Sequence, residues 1–281
     1  MLSRRTFIKT TAAATLASVV LPSNLLAGPT NKDIGIQLYT IRDYVNDDLP
    51  GTLATLKRIG YGTVEAAGYG DGKFYGMSPK EFRKLVIDSG LKPISSHCSV
   101  NPKNAQQVCD DHLEAGASYV VVPSMPSENK KNLDGYKSIA EDFNKIGEIC
   151  KKNGLPFGYH NHAFEFEKLD NEIPYNVLLN NTDTDIVFFQ LDTYWMVYGG
   201  FSPIDYFKQF PGRFELLHVK DMDETSDRKS TEIGNGFIDF RKILKSRKSG
   251  MQYIFVEQEE FTIDPIESIT ASFNYLNSLK Y

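Results

Sequence analysis

The sequence predicts an α/β protein folded as a single (β/α)8 TIM barrel. Eight short apolar runs alternate with helical segments from Asp33 onward. Most runs are continuously apolar, as for parallel strands buried on both faces. About 250 residues hold these eight units, with no Pro/Ser linker or low-complexity tract to mark a second domain.

The predicted strands are Ile34–Leu38, Thr63–Glu65, Pro93–Ser96, Tyr119–Val122, Phe157–Tyr159, Ile186–Leu191, Phe214–Val219 and Tyr253–Val256. Helix starts are marked by Ser78-Pro79-Lys80-Glu81, Ser202-Pro203-Ile204-Asp205 and Asp264-Pro265-Ile266-Glu267, each with an N-cap residue and Pro at the first helical position. The last helix carries Ile266, Ile269, Phe273 and Leu276 on one face. Gly60, Gly90, Gly116, Gly154 and Gly250 each stop a helix shortly before the next strand. No GxGxxG follows the first strand and no GxxxxGK[ST] occurs, which removes the usual nucleotide cradles and favours a closed barrel over a doubly wound sheet.

Residues 1–27 read as an export signal. Ser3-Arg4-Arg5-Thr6-Phe7-Ile8-Lys9 is a basic opening, Thr11 to Leu21 a short apolar run, and Leu26-Ala27-Gly28 a small-residue end. The apolar run is too short to span a membrane. The arginine pair resembles a twin-arginine signal, which implies a periplasmic location with 28–281 as the mature barrel. The whole chain carries −5; without Arg4, Arg5 and Lys9 the remainder carries about −8. An acidic surface argues against a nucleic-acid partner, because phosphate contacts need a basic face. Three cysteines, Cys98, Cys109 and Cys150, show no CxxC spacing, so a zinc ribbon is excluded. Cys109 and Cys150 fall on apolar helix faces, Cys98 follows a strand next to His97, and one disulfide is left open.

A barrel builds its active site at the C-terminal ends of its strands. Gln37 closes the first strand, Glu65 the second and His97 the third. His160-Asn161-His162 with Glu165 follows the fifth, Asp192 the sixth, His218 with Lys220 and Asp221 the seventh, and Glu257 with Glu259 the eighth. Four of the five histidines, all but His112, stand at strand ends. Any one strand-end carboxylate is more often a helix cap than a ligand, but the collection is harder to set aside. Glu, Asp, His and Glu on strands five to eight suit one divalent ion, Mn²⁺, Co²⁺, Mg²⁺ or Zn²⁺.

The segments Tyr159-His160-Asn161-His162-Ala163-Phe164-Glu165-Phe166, Leu191-Asp192-Thr193-Tyr194-Trp195, His218-Val219-Lys220-Asp221 and Val256-Glu257-Gln258 resemble the xylose isomerase-like sugar phosphate isomerase/epimerase superfamily. The resemblance implies one metal held by Glu165, Asp192, His218 and Glu257. Many relatives carry Glu directly at the end of strand five, where this chain has His160, so His160 or His162 is the substitute for Glu165. It also implies isomerisation or epimerisation of a keto-sugar by proton transfer through an enediolate, with Glu165 and Glu257 as the acid/base pair and His160 as the rival base. Lys220 would act on a substrate oxygen or pair with a strand-end carboxylate. Asp221 would orient a ligand, and Trp195 would floor the pocket or serve as core or lid. Gln37, Glu65, His97, His162, Trp195 and Lys220 are the expected substrate contacts.

A lyase or dehydratase acting on a keto-sugar or keto-glycoside is the nearest rival, since the same metal and base can expel a β-substituent. An endonuclease IV-like DNA-repair enzyme is a remote one, disfavoured by the acidic charge and the leader. A non-catalytic sugar-binding barrel would not need paired carboxylates. The expected partner is a small-molecule sugar, unphosphorylated if the protein is exported, with no membrane span and with homo-oligomer formation left open.

Overall fold

The computed structural model describes residues 33–246 and 249–280, so the expected export signal lies outside the described residues. All eight predicted strands are present. They are β1 (Ile34–Gln37), β2 (Thr63–Ala66), β3 (Lys92–Ser96), β4 (Val120–Val122), β5 (Phe157–His160), β6 (Val187–Asp192), β7 (Leu216–Val219) and β8 (Tyr253–Val256). They pair in parallel in the order β3-β2-β1-β8-β7-β6-β5-β4. The circle closes between β3 and β4 through a bridge from His97 to Val121, with the Tyr119 N–H donating to the Ile94 carbonyl at 3.0 Å.

The main helices, one after each strand, are α1 (Leu49–Ile59), α2 (Pro79–Asp88), α3 (Ala105–Glu114), α4 (Leu133–Lys152), α5 (Pro174–Asn181), α6 (Pro203–Gln209), α7 (Phe240–Lys245) and α8 (Pro265–Ser278). Their starts follow the sequence signals. Ser78 and Glu81 form a reciprocal capping box, with the Glu81 N–H donating to Ser78 Oγ at 3.3 Å and the Ser78 N–H donating to Glu81 Oε2 at 2.9 Å. Ser202 and Asp264 cap α6 and α8 through their side-chain oxygens, which accept from the Asp205 N–H and from the Ile266 and Glu267 N–H groups. No helix among the described residues is long and apolar enough to cross a membrane.

The period-2 alternation of the strands divides the core. Outward side chains such as Phe189 and Leu191 belong to the layer between strands and helices, the Phe189 ring lying 5.5 Å from that of Tyr175 on α5. Inward ones, Ile94, Tyr119, Val121, Phe188, Leu216 and Phe255, fill the barrel floor as a separate cluster. This floor leaves no room for side chains at two inward positions. A Cβ on Gly35 would lie 2.5 Å from the Phe255 ring, and one on Gly158 would lie 2.5 Å from the Phe188 ring. The floor supports the strand ends above it, where the polar residues collect. Cys109 on α3 and Cys150 on α4 are buried free thiols whose sulfurs lie 3.2 Å apart.

Gly158→Ala is therefore expected to overpack the floor and cost about 1–3 kcal/mol in urea unfolding. Gly70→Ala, whose added Cβ would meet nothing within 4 Å, is the control and should leave stability nearly unchanged.

Candidate metal centre

The site is built in two tiers above the floor. In the lower tier Glu65 is fully buried on the barrel axis and accepts three hydrogen bonds. They come from Gln37 Nε2 of β1 at 2.7 Å, Gln190 Nε2 of β6 at 2.7 Å and His218 Nε2 of β7 at 2.5 Å. Burial pushes the Glu65 carboxyl up, but His97 and His218 outweigh it and hold it below the ordinary value. Gln190 commits its amide N–H to Glu65, so its carbonyl accepts from His97 Nε2 at 2.6 Å and His160 Nδ1 at 3.2 Å. That fixes the His160 ring with Nε2 left available to a ligand.

Gln37 and Glu65 were expected to touch substrate. Both are wholly buried beneath the histidines; Glu65 holds His218 directly and Gln37 holds Glu65. Gln190 was not singled out from sequence, although its position two residues before Asp192 places it on the same inward face of β6.

In the upper tier His160, Asp192, His218 and Glu257 each present one ligand atom, all within 4.8 Å of one another. Asp192 caps the helical turn Thr193–Tyr198, its Oδ1 accepting from the Trp195 N–H at 2.8 Å. Its Oδ2 is buried with no hydrogen-bond partner. A carboxylate oxygen buried without a donor is costly, and a cation is the natural partner for it in this setting. Burial raises the Asp192 carboxyl to about 7 against the pull of Lys220. His218 Nδ1 pairs with Glu257. Burial alone would lower His218, but Glu257 and Glu65 overcome it and lift the imidazole to about 10. Burial raises Glu257, but Lys220 and His218 outweigh it and hold the group well below the ordinary range. The donor set of two imidazoles and two carboxylates fits a first-row divalent ion. Glu65 behind His218 is the carboxylate–imidazole arrangement that orients metal-binding histidines.

Glu165 does not join this group. Tyr159 is the neighbour of inward-facing His160, so its side chain leaves the barrel and packs on Phe143 of α4, ring centroids 5.0 Å apart. The turn Phe164–Phe166 brings Glu165 to that outer side. There its carboxylate accepts from the Tyr159 hydroxyl at 2.5 Å and the His162 N–H at 2.9 Å. Burial raises Glu165 to about 7. The expected pair of Glu165 and Glu257 facing one another across a substrate is not formed. Asp221 likewise orients no ligand; its carboxylate accepts from the backbone N–H groups of Met222, Gly234, Gly236 and Ile238 and ties down the loop between them. Asn161 stands closer to the centre, its Oδ1 accepting from the Asp192 N–H at 3.1 Å.

A pocket of ≈ 430 Å³ opens over the upper tier, with His97, Cys98, His160, His162, Glu257 and Glu259 among its walls. Burial lowers His162 to about 4, so it is a neutral imidazole, and its buried Nδ1 has no partner. Lys220 is 1 % exposed and pairs with Glu259 at the pocket rim, its ammonium 4.8 Å from the Trp195 ring centroid. Burial opposes that charge, but Glu257, Asp192 and Glu259 more than restore it and raise Lys220 above its ordinary value. Trp195 lines an adjoining cleft with Tyr194, Tyr198 and Lys220.

The family model of the xylose isomerase-like TIM barrel matches residues 53–279. Among solved structures, a sugar phosphate isomerase/epimerase from Parabacteroides distasonis is 31% identical, with a TM-score of 0.80, covering 92% of this chain and 98% of that one. The inosose dehydratase of Geobacillus kaustophilus is 22% identical, over 84% of this chain and 92% of its own. The chain spans about half the length, 55%, of the Clostridium perfringens inosose dehydratases it also matches. An IOLI protein structure with a bound zinc atom shares the fold at 15% identity and a TM-score of 0.68, covering 87% of this chain and 96% of that one.

His160→Ala and Asp192→Asn are each expected to lower Mn²⁺ or Zn²⁺ affinity by about 10–100-fold or more in calorimetry, whereas Glu165→Gln should leave it within about 3-fold. A cation at Asp192 and Glu257 competes with the proton held on His218. Below pH 10 affinity should therefore weaken as pH falls, with about one proton released per ion bound.

Proposed function

We propose, because this chain belongs to the xylose isomerase-like TIM barrel family, that it is a divalent-metal-dependent enzyme acting on an unphosphorylated keto-sugar. The reaction begins with removal of the proton α to the ketone and proceeds by expulsion of a β-substituent. His160, Asp192, His218 and Glu257 would hold the ion. A bound ion supplies Lewis acidity, drawing charge from the ketone so that its neighbouring C–H becomes acidic.

The observation that carries the choice of elimination is the position of Glu165. Epimerisation returns the proton from a second base on the opposite face, and the expected second carboxylate stands outside the pocket. Single-base isomerisation needs no such partner, and the preference for elimination over it rests on the inosose dehydratase relatives. One carboxylate suffices for elimination. Glu257, held ionised, takes the α-proton; the β C–O bond breaks with its pair going to oxygen; and the same proton, delivered by Glu257, completes the departing water or alcohol. Lys220 keeps a positive charge at the rim, where negative charge on substrate oxygen is stabilised. The inosose dehydratase relatives support this reading. The walls of the metal pocket carry no Lys or Arg among the described residues, and Lys220 at its rim is already paired with Glu259, which supports a substrate without phosphate.

A second reading, epimerisation with His160 or His162 as the opposing base, is favoured by the 31% identical sugar phosphate isomerase/epimerase. Product analysis separates the two. In D₂O with Mn²⁺, elimination yields an unsaturated ketone and a free alcohol or water. Epimerisation yields a stereoisomer carrying solvent deuterium at the α-carbon, and that product alone would overturn the elimination reading. With Mn²⁺ saturating, Glu257→Gln is expected to lower kcat by about 10²–10⁴-fold with substrate binding retained. The Arg4-Arg5 leader supports export to the periplasm as a companion proposal; fractionation of cells with and without an Arg4→Lys, Arg5→Lys leader should show the exported pool lost in the variant, and an unchanged pool would contradict it.

A further inference from the structure

The metal pocket is not the end of the cleft. Past Tyr69 and Ser99, which line both, a second cavity of ≈ 630 Å³ opens toward the start of α3. The pocket over the metal centre already falls within the usual range of small-molecule sites, about 300–1,000 Å³. A single sugar is accommodated there without the second cavity.

The wall between the two is rigid. The Tyr69 hydroxyl donates to Asp111 Oδ2 at 2.6 Å, and Gln107 Nε2 donates to Asp111 Oδ1 at 2.8 Å. The Tyr69 ring is wedged against Phe74 and His112, with centroids 4.9 Å and 4.7 Å away. The other linings are the Asn104 and Gln107 amides, the Ser99 hydroxyl, Asp71, the Gly70–Gly72 backbone and the Val108 side chain. No Lys or Arg among the described residues lines it. An aromatic edge with amides, a hydroxyl and one acid suits a neutral polyhydroxylated group; it does not suit a phosphate or a carboxylate, which would want cations.

We infer that the substrate is a two-ring keto-glycoside and that this outer cavity receives the departing ring. The inference rests on the elimination reading and names its leaving group. In a glycoside whose ketone is two carbons from the anomeric carbon, the glycosidic oxygen sits β to that ketone. The α C–H proton goes to Glu257, the glycosidic C–O bond breaks with its pair going to the departing oxygen, and Glu257 returns the proton to that oxygen. An unsaturated keto-sugar and a free sugar alcohol group result, with no oxidant or reductant involved. The keto ring stays over the metal centre and the departing ring lies beyond Tyr69.

Gly70 tests this, because it lines the outer cavity and a Cβ there meets nothing within 4 Å. Gly70→Trp fills the cavity, and Gln107→Ala removes an amide from it. Binding is measured by calorimetry in a Glu257→Gln background, with Mn²⁺ brought to saturation for each variant by its own Mn²⁺ titration, using 3-ketotrehalose as the two-ring probe and 3-ketoglucose as the one-ring probe. The expected result is tighter binding of 3-ketotrehalose than of 3-ketoglucose, with Gly70→Trp weakening the former by about tenfold or more and the latter by less than about twofold. Gln107→Ala should act in the same direction more weakly. Equal affinity for the two probes, or variants that shift both alike or neither, would overturn the inference. Absence of product from 3-ketotrehalose with the parent enzyme, while the selective binding persists, would refute the elimination reading and leave the cavity assignment standing.

Discussion

The period-2 alternation of the barrel strands decides which side chains can act together. His160, Asp192 and His218 point inward because they share a parity with Gly158, Phe188 and Leu216 in the floor, and Glu257 continues the inward row of Phe255. The same rule sends Tyr159 outward, and Glu165 follows its hydroxyl to the helix side. A one-residue difference in parity thus separates His160 in the centre from Tyr159, whose hydroxyl holds Glu165 outside it.

The charges that this parity concentrates are tolerated because each is matched. Glu65 lies under the histidines with three donors, and Gln190 ties Glu65 to His97 and His160 in one network. Such a network is stable when each member has a partner and costly otherwise. Asp192 Oδ2 is the exception within the centre, and it faces the one place where a cation completes the set. The second orphan nearby, His162 Nδ1, belongs to a pocket residue and is the kind of group a substrate hydroxyl would satisfy.

Much of this was legible in the sequence. The eight strands were found because buried parallel strands leave continuous apolar runs, and the helix starts because Ser78, Ser202 and Asp264 are local signals with local partners. The gathering of four histidines at strand ends followed from the fold class alone. What the sequence did not yield depends on direction in space. Glu165 lies beyond the end of its strand, where alternation no longer applies and the turn Phe164–Phe166 sets its heading. Gln37 and Glu65 read as pocket residues because position along a strand says which face, not which tier. The alternative expected for Lys220, a pair with a strand-end carboxylate, is met at Glu259; which carboxylate it takes is decided where two strands' loops meet, and no local pattern encodes that choice.

The central claim is that the ion is held by His160 Nε2, Asp192, His218 Nδ1 and Glu257. The most direct test is an anomalous-difference map from crystals grown with Mn²⁺ and collected at the manganese edge. One peak is expected within about 2.0–2.3 Å of those four groups, with Glu65 still bonded to His218 Nε2. A peak bonded to Glu165, or to His218 through Nε2, would contradict the account.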